Sequence, residues 1–137
     1  MSDTNSPIDD LLREFADEAP GFLSAAVVDM ENGMAMASYD KHPEFDSSLA
    51  AAAYTNFIKS NREALKLLDA DPLDTTDILV STNGMYMLFR ELGVDYYFGV
   101  AMSQEGNLAL VRRLLETYEP KLVAEIPGAE LEPDTLS

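Results

Sequence analysis

Apolar positions recur along this chain with two periods, and the switches between them mark out a series of helices and strands. The widest apolar surface runs from Asp46 to Leu68, DSSLAAAAYTNFIKSNREALKLL. Asp46 is placed to cap a helix, and Ala50 to Ala53 are the strongest helix formers available. Leu49, Ala53, Phe57 and Ala64 fall on one helical stripe; Ala50, Tyr54, Ile58, Leu65 and Leu68 fall on the next. A surface helix covers its own core with one stripe. Two adjoining stripes predict contact with the chain's own core and with a second body.

The elements around this helix follow from local signals. Ser6-Pro7-Ile8-Asp9 has the form of a helix start, and Leu11, Leu12 and Phe15 give it an apolar side. Pro20 predicts its end near Ala19. Phe22 to Asp29 is apolar at almost every position, which predicts a central strand covered on both faces. Asn32-Gly33 is a turn signal, and Met34 to Tyr39 returns as a second strand. After a loop containing His42-Pro43 comes the long helix, then Thr75 to Ser81, the turn Asn83-Gly84, and Met85 to Arg90. Val94 to Ala101 is the fifth strand, with Val94, Tyr96, Phe98 and Val100 facing one way and Tyr97, Gly99 and Ala101 the other. Asn107 caps a last helix running to about Leu122, with Leu108, Val111, Leu114, Leu115 and Tyr118 as its inner stripe.

The order of elements is α-β-β-α-β-β-β-α. Hairpin turns make the sheet antiparallel. Central strands apolar on both faces need two covers, so the expected architecture is a three-layer α/β/α sandwich of the α+β type, with a five-stranded antiparallel sheet. The domain is expected over 6–122, with 123–137 as an acidic tail without periodicity, expected to be disordered. The strand after the crossover helix has no partner on its outer side, and an open edge carrying Ile78 and Val80 invites pairing with another chain. The candidate interface is therefore Leu49, Ala50, Ala53, Tyr54, Phe57, Ile58 and Asn61 of the helix with Ile78 and Val80 of the strand. A two-fold dimer would join two sheets into one.

Composition narrows the partners. The 137 residues hold 9 Lys plus Arg against 25 Asp plus Glu, a net charge of −16. Nucleic acid and anionic lipid are disfavoured as partners by that charge. There is no cysteine and a single histidine, His42, so thiol catalysis, disulfides and Cys- or His-rich metal sites are out. No stretch approaches a signal peptide or a membrane span, and a cytoplasmic location is expected.

These residues together resemble the Roadblock family: the dynein light-chain Roadblock proteins and the bacterial and archaeal Mgl-type regulators of small GTPases. The matching features are Pro20-Gly21, the run Ala25-Ala26-Val27-Val28-Asp29, Gly33, Ala37-Ser38, Leu49-Ala50-Ala51-Ala52, Asn83-Gly84, and Asn107-Leu108 with Val111-Arg112. Ala109 departs from the pattern, standing where many relatives carry glycine. The resemblance implies a homodimer or heterodimer built through the crossover helix and the neighbouring edge strand. It implies a regulatory or scaffolding protein that binds a Ras-like small GTPase and modulates its nucleotide cycle or localisation, without catalytic residues of its own.

The residues supply no catalytic constellation to set against that reading. Asp29, beside a turn, is expected to cap it, and His42 to be solvated. No phosphate-cradling glycine loop is present, so no cofactor is expected. An inserted arginine is worth a great deal in GTP hydrolysis. Arg13, Arg62, Arg90, Arg112 and Arg113 are the candidates, and most sit beside acids on helices, as on solvated faces. Met30, Met34, Met36, Met85 and Met87 are expected to pack in the core. The alternative function is a small-molecule sensor whose pocket is lined by Tyr96, Tyr97 and Phe98.

Overall fold

A computed structural model describes residues 6–42 and 45–127. Eight elements follow in chain order: helix α1 (Pro7–Glu18), strands β1 (Phe22–Asp29) and β2 (Met34–Asp40), helix α2 (Ser47–Leu67), strands β3 (Ile78–Ser81), β4 (Met85–Leu92) and β5 (Tyr96–Ser103), and helix α3 (Leu108–Glu125). The expected order and sheet are found. Residues 1–5, Pro43 and Glu44, and the segment 128–137, expected as part of a disordered tail, lie outside the described residues.

The helix starts are built as their cap residues dictate. Ser6 Oγ accepts the Asp9 amide at 3.2 Å while the Asp9 carboxylate takes the Ser6 amide at 3.3 Å, a reciprocal box. Asp46 accepts from the Leu49 amide at 3.1 Å and Asn107 from the Leu110 amide at 3.0 Å. α2 ends with Asp69 in the left-handed region at φ 63, and the Ala70 amide reaches back to the Leu65 carbonyl at 2.8 Å. α3 runs on through Pro120 to Glu125, with Leu122 and Ile126 fully buried. The last helix therefore runs past Leu122, its expected end.

The sheet order is β2-β1-β5-β4-β3, antiparallel throughout. β3 is shorter than expected, because Thr75 to Asp77 lead into the sheet without pairing. β5 starts two residues later than expected; Val94 lies in the turn before it and is exposed. Asn83-Gly84 does close a hairpin, but not by positive φ. Thr82 makes the turn instead, its hydroxyl oxygen accepting the Met85 amide at 3.1 Å. Gly33 does adopt positive φ, at 72.

Two cores lie on the two faces. α1 and α3 cover one, closing over Ala25, Val27, Leu88, Leu92, Phe98, Val100 and Met102. Phe15 is its centre, meeting Phe98, Tyr118 and Phe22 edge-on at 5.1, 5.4 and 6.2 Å. α2 alone stands on the other, over Ala26, Val28, Met87, Phe89, Tyr97 and Ala101. Tyr96 and Phe98 thus face away from Tyr97. The three aromatics proposed to line one pocket do not converge.

α1 and α3 are tied by Tyr118, whose hydroxyl donates to Glu18 Oε2 at 2.5 Å. Burial holds this phenol well above the usual tyrosine range, and the Glu18 carboxylate, with Glu14 and Asp17 beyond it, adds to the effect. Burial also raises Tyr97, partly offset by the Thr55 hydroxyl. A folded-state pKa above the unfolded value of about 10 means the fold holds a proton that the unfolded chain releases. Stability from Tyr118 is therefore complete below about pH 10 and falls as pH rises beyond it. Urea midpoints taken between about pH 8 and pH 11 should drop for the wild type and drop less for Tyr118→Phe. Equal slopes for the two would show that Tyr118 is not the titrating group.

Candidate functional site

The side chains with which α2 grips its own sheet are not those of an apolar stripe alone. Ser47, Ala51, Thr55 and Ile58 are buried, at spacings of four, four and three that place them on one face. Two of the four are polar, and each is satisfied. Thr55 Oγ1 donates to the Ala51 carbonyl at 2.7 Å, and Tyr97 Oη donates to the same carbonyl at 3.1 Å. Asp40 accepts from Ser24 Oγ at 2.6 Å and Ser47 Oγ at 3.1 Å, pinning the start of α2 to β1 and β2.

The far end of α2 is pinned by Arg62. Its Nε and Nη2 donate to Glu91 Oε1 at 3.0 and 2.6 Å, and Nη2 also donates to the Val94 carbonyl at 2.8 Å. Beside it, Asn61 Nδ2 donates to Thr75 Oγ1 at 2.8 Å. The expectation of arginines on solvated faces is corrected here. Arg62 pairs with Glu91, Arg90 with Glu119 at 2.6 Å, and Arg112 with Asp77 at 3.0 Å, while Arg13 stacks over Tyr39 at 4.8 Å. Partners on other elements, invisible to sequence spacing, decide this.

Held at both ends, α2 lies over β2 and β1 rather than beside the β3 edge as expected. Only side chains cross further. Tyr54 stacks on Phe89 at 4.8 Å between centroids, and Phe57 meets Tyr54 edge-on at 5.9 Å. Beyond Phe89, Ile78, Val80 and Met85 are only half-buried. On the helix itself Leu49 is 68% exposed, Phe57 43% exposed, and Ala53 exposed. Ala50, Tyr54 and Asn61 are half-buried on its flank. Of the candidate interface, Ile58 is the exception. It is 0% exposed and supports the helix from inside. The remaining eight residues lie at or near the surface, on α2 and on β3, whose outer side pairs with no strand among the described residues.

Other candidates are placed plainly. Asp29 Oδ1 accepts the Glu31 amide at 2.8 Å, capping the turn. His42 is exposed. Met30 and Met87 are buried as expected, whereas Met34 and Met36 stand out from β2 at 64% and 43% exposure, a correction caused by β2 being the other edge of the sheet. Under α2, Ser24, Phe45, Met87 and Tyr97 surround a cavity of about 30 Å³, room for about one water. Among the described residues no three His, Cys, Asp or Glu side chains converge as a metal site would require, and no helix is long and apolar enough to cross a membrane.

Glu91 is nearly buried, and Arg62 is its ionic partner. Arg62→Ala should cost about 3–5 kcal/mol in urea unfolding, because it strands a buried carboxylate. Arg62→Met with Glu91→Leu should recover most of that loss. A single substitution costing under about 1 kcal/mol would show that the pair is not what fixes this end of α2.

No protein-family model matches the sequence, and no curated protein matches it. Solved structures do match the fold. MglB of Myxococcus xanthus superposes with a TM-score of 0.77 at 14% identity, over 88% of this chain and 94% of that one. An MglB with tetrameric arrangement gives 0.80 at 15% identity, over 95% and 97%. A Roadblock/LC7 domain from Streptomyces avermitilis gives 0.69 at 18% identity, over 88% and 98%. Identities this low carry the fold and no more, and the chain has the Roadblock/LC7 fold in the form that MglB displays.

Proposed function

We propose that this chain is a dimeric regulatory platform: two copies associate through the outer face of α2 and the open edge of β3, and the assembly binds a Ras-like small GTPase. The observation that carries the first half is the apolar strip. Leu49, Ala53 and Phe57 are exposed on α2, Phe57 meets Tyr54, Tyr54 stacks on Phe89, and Phe89 lies opposite Ile78 in the edge strand β3. An exposed apolar surface of this kind marks an interface. Pairing β3 with its symmetry mate satisfies its outer backbone groups, while the partner's α2 covers the half-buried side chains.

The second half rests on the likeness to MglB and on the family resemblance of the sequence, which implies a small GTPase as partner. The side chains support regulation without an inserted arginine. Arg62, Arg90 and Arg112 are engaged within the chain and are not free to reach into another active site. The sensor alternative has weak support: the cavity under α2 holds about one water, and the aromatics proposed for it face opposite ways.

Sedimentation velocity at micromolar concentration should find a dimer for the wild type. Leu49→Glu with Phe57→Glu should give a folded monomer, since both side chains are exposed and their loss leaves the core intact. A wild-type monomer, or a double variant that still dimerises, would overturn the interface. In a pull-down, an Mgl-type GTPase should be retained in a nucleotide-dependent manner. Arg13→Ala and Arg113→Ala should leave its hydrolysis within about twofold, against the 10³–10⁵ loss expected for an inserted arginine. No retention in either nucleotide state would remove the GTPase from the proposal.

A further inference from the structure

One surface feature adjoins the proposed interface but contains none of the residues assigned to it. Where α2 ends, its last turns and the loop after it enclose an open groove of about 770 Å³. Its lining includes two leucines that the fold leaves uncovered, Leu67 at 88% and Leu73 at 48% exposure, and Pro72. Its walls carry Lys59 and Lys66; Arg62 is engaged by Glu91, and Lys66 meets Glu63 in an exposed pair at 3.2 Å, which water and a competing carboxylate both weaken. The chain around this site has a net charge of −16. The aspartates of the adjoining loop, Asp69, Asp71 and Asp74, do not line it, and Asp71 is turned onto the Leu73 amide at 2.9 Å.

The residues from 128 to 137, GAELEPDTLS, have the opposite character. They carry Glu130, Glu132 and Asp134, no Lys or Arg, and two leucines, Leu131 and Leu136. The topology brings the end of α3, which precedes them, to the same end of the sheet as the groove. α3 begins beside Pro20-Gly21, where the Ser103 amide donates to the Gly21 carbonyl at 2.7 Å and Gly106 lies so close to Pro20 that a Cβ there would stand 2.3 Å from its carbonyl oxygen. From there its 18 residues run the length of the sheet, about 27 Å. α2 runs toward that same end, where Arg62 meets Val94 in the β4–β5 turn. Passing from the α3 layer around the sheet to the α2 layer takes about 20 Å, two layer spacings of about 10 Å each. Ten residues span up to about 33–36 Å when extended.

We infer that the acidic segment 128–137 docks in its own chain's groove at the end of α2, with Leu131 or Leu136 against Leu67 and Leu73 and its carboxylates beside Lys59 and Lys66. Apolar burial holds it and charge orients it. Seated there, it shields the groove from any acidic partner, which would have to displace it. The inference does not require self-association, because none of the proposed interface residues lines the groove.

The absence of cysteine makes the test direct. A nitroxide on Thr135→Cys in the full chain should broaden the amide signals of Lys59 to Leu73 beyond those of α1. The broadening should fade in Lys59→Glu with Lys66→Glu, in Glu130→Lys with Glu132→Lys and Asp134→Lys, and toward about 1 M salt, where the screening length falls to about 3 Å. The second set of changes leaves every residue of the described elements as it is, and an unchanged amide spectrum of those elements separates its effect from loss of fold. Broadening that is uniform, centred elsewhere, or unmoved by both charge reversals would overturn the inference. So would broadening confined to samples in which the label and the observed nuclei are on different molecules, which would make a second copy the occupant.

Discussion

A single helix cannot roof a five-stranded sheet. Four interstrand spacings of about 4.8 Å make the sheet about 19 Å across, whereas a helix with its side chains is about 10–12 Å wide. The face with Phe15 at its centre meets this constraint with two helices, α1 and α3. The opposite face has α2 alone, set over β2 and β1. Tyr54 extends its cover as far as Phe89, and past that point Ile78, Val80 and Met85 are left half-bare. The open strip, the free β3 edge and the exposed Leu49 and Phe57 all follow from this shortfall in width.

Where the shortfall falls is decided by polar groups. Apolar side chains alone would let α2 slide across the sheet, since burial is not directional. Asp40 holds its start through Ser24 and Ser47, Tyr97 holds its middle at the Ala51 carbonyl, and Arg62 holds its end through Glu91 and Val94. These buried or half-buried groups are costly to leave unpaired, so they fix one position for the helix. The chain thereby presents β3 consistently as the uncovered side. The same arginine pairs that rigidify the domain also engage Arg62, Arg90 and Arg112 within the chain.

Element identities were largely legible in the sequence, because caps and periodicity act locally. Ser6, Asp46 and Asn107 start the three helices where their side-chain oxygens predict. The continuous apolar run of β1 reads as a strand covered on both faces, and it is. What could not be read was lateral position. Ser47 and Thr55 look like polar interruptions of an alanine-rich helix, yet they form its inner face, because their partners Asp40 and Tyr97 come from other strands. Ile58 looked available for docking and is fully buried for the same reason. Arg62 beside Glu63 reads as a solvated pair, while its true partner is 29 residues away. Interactions of this kind depend on the assembled sheet and leave no short-range pattern.

Amide hydrogen exchange along β3, followed as protein concentration is raised from low micromolar to near millimolar, is the most direct test of a sheet completed by a second copy. Amides in Ile78–Ser81 that donate outward pair with no strand among the described residues, and pairing with another copy should slow their exchange in step with concentration. Fast exchange at Ile78–Ser81 that is the same at every concentration would mean that the strand stays open, and the half-covered face of this sheet would then need another explanation.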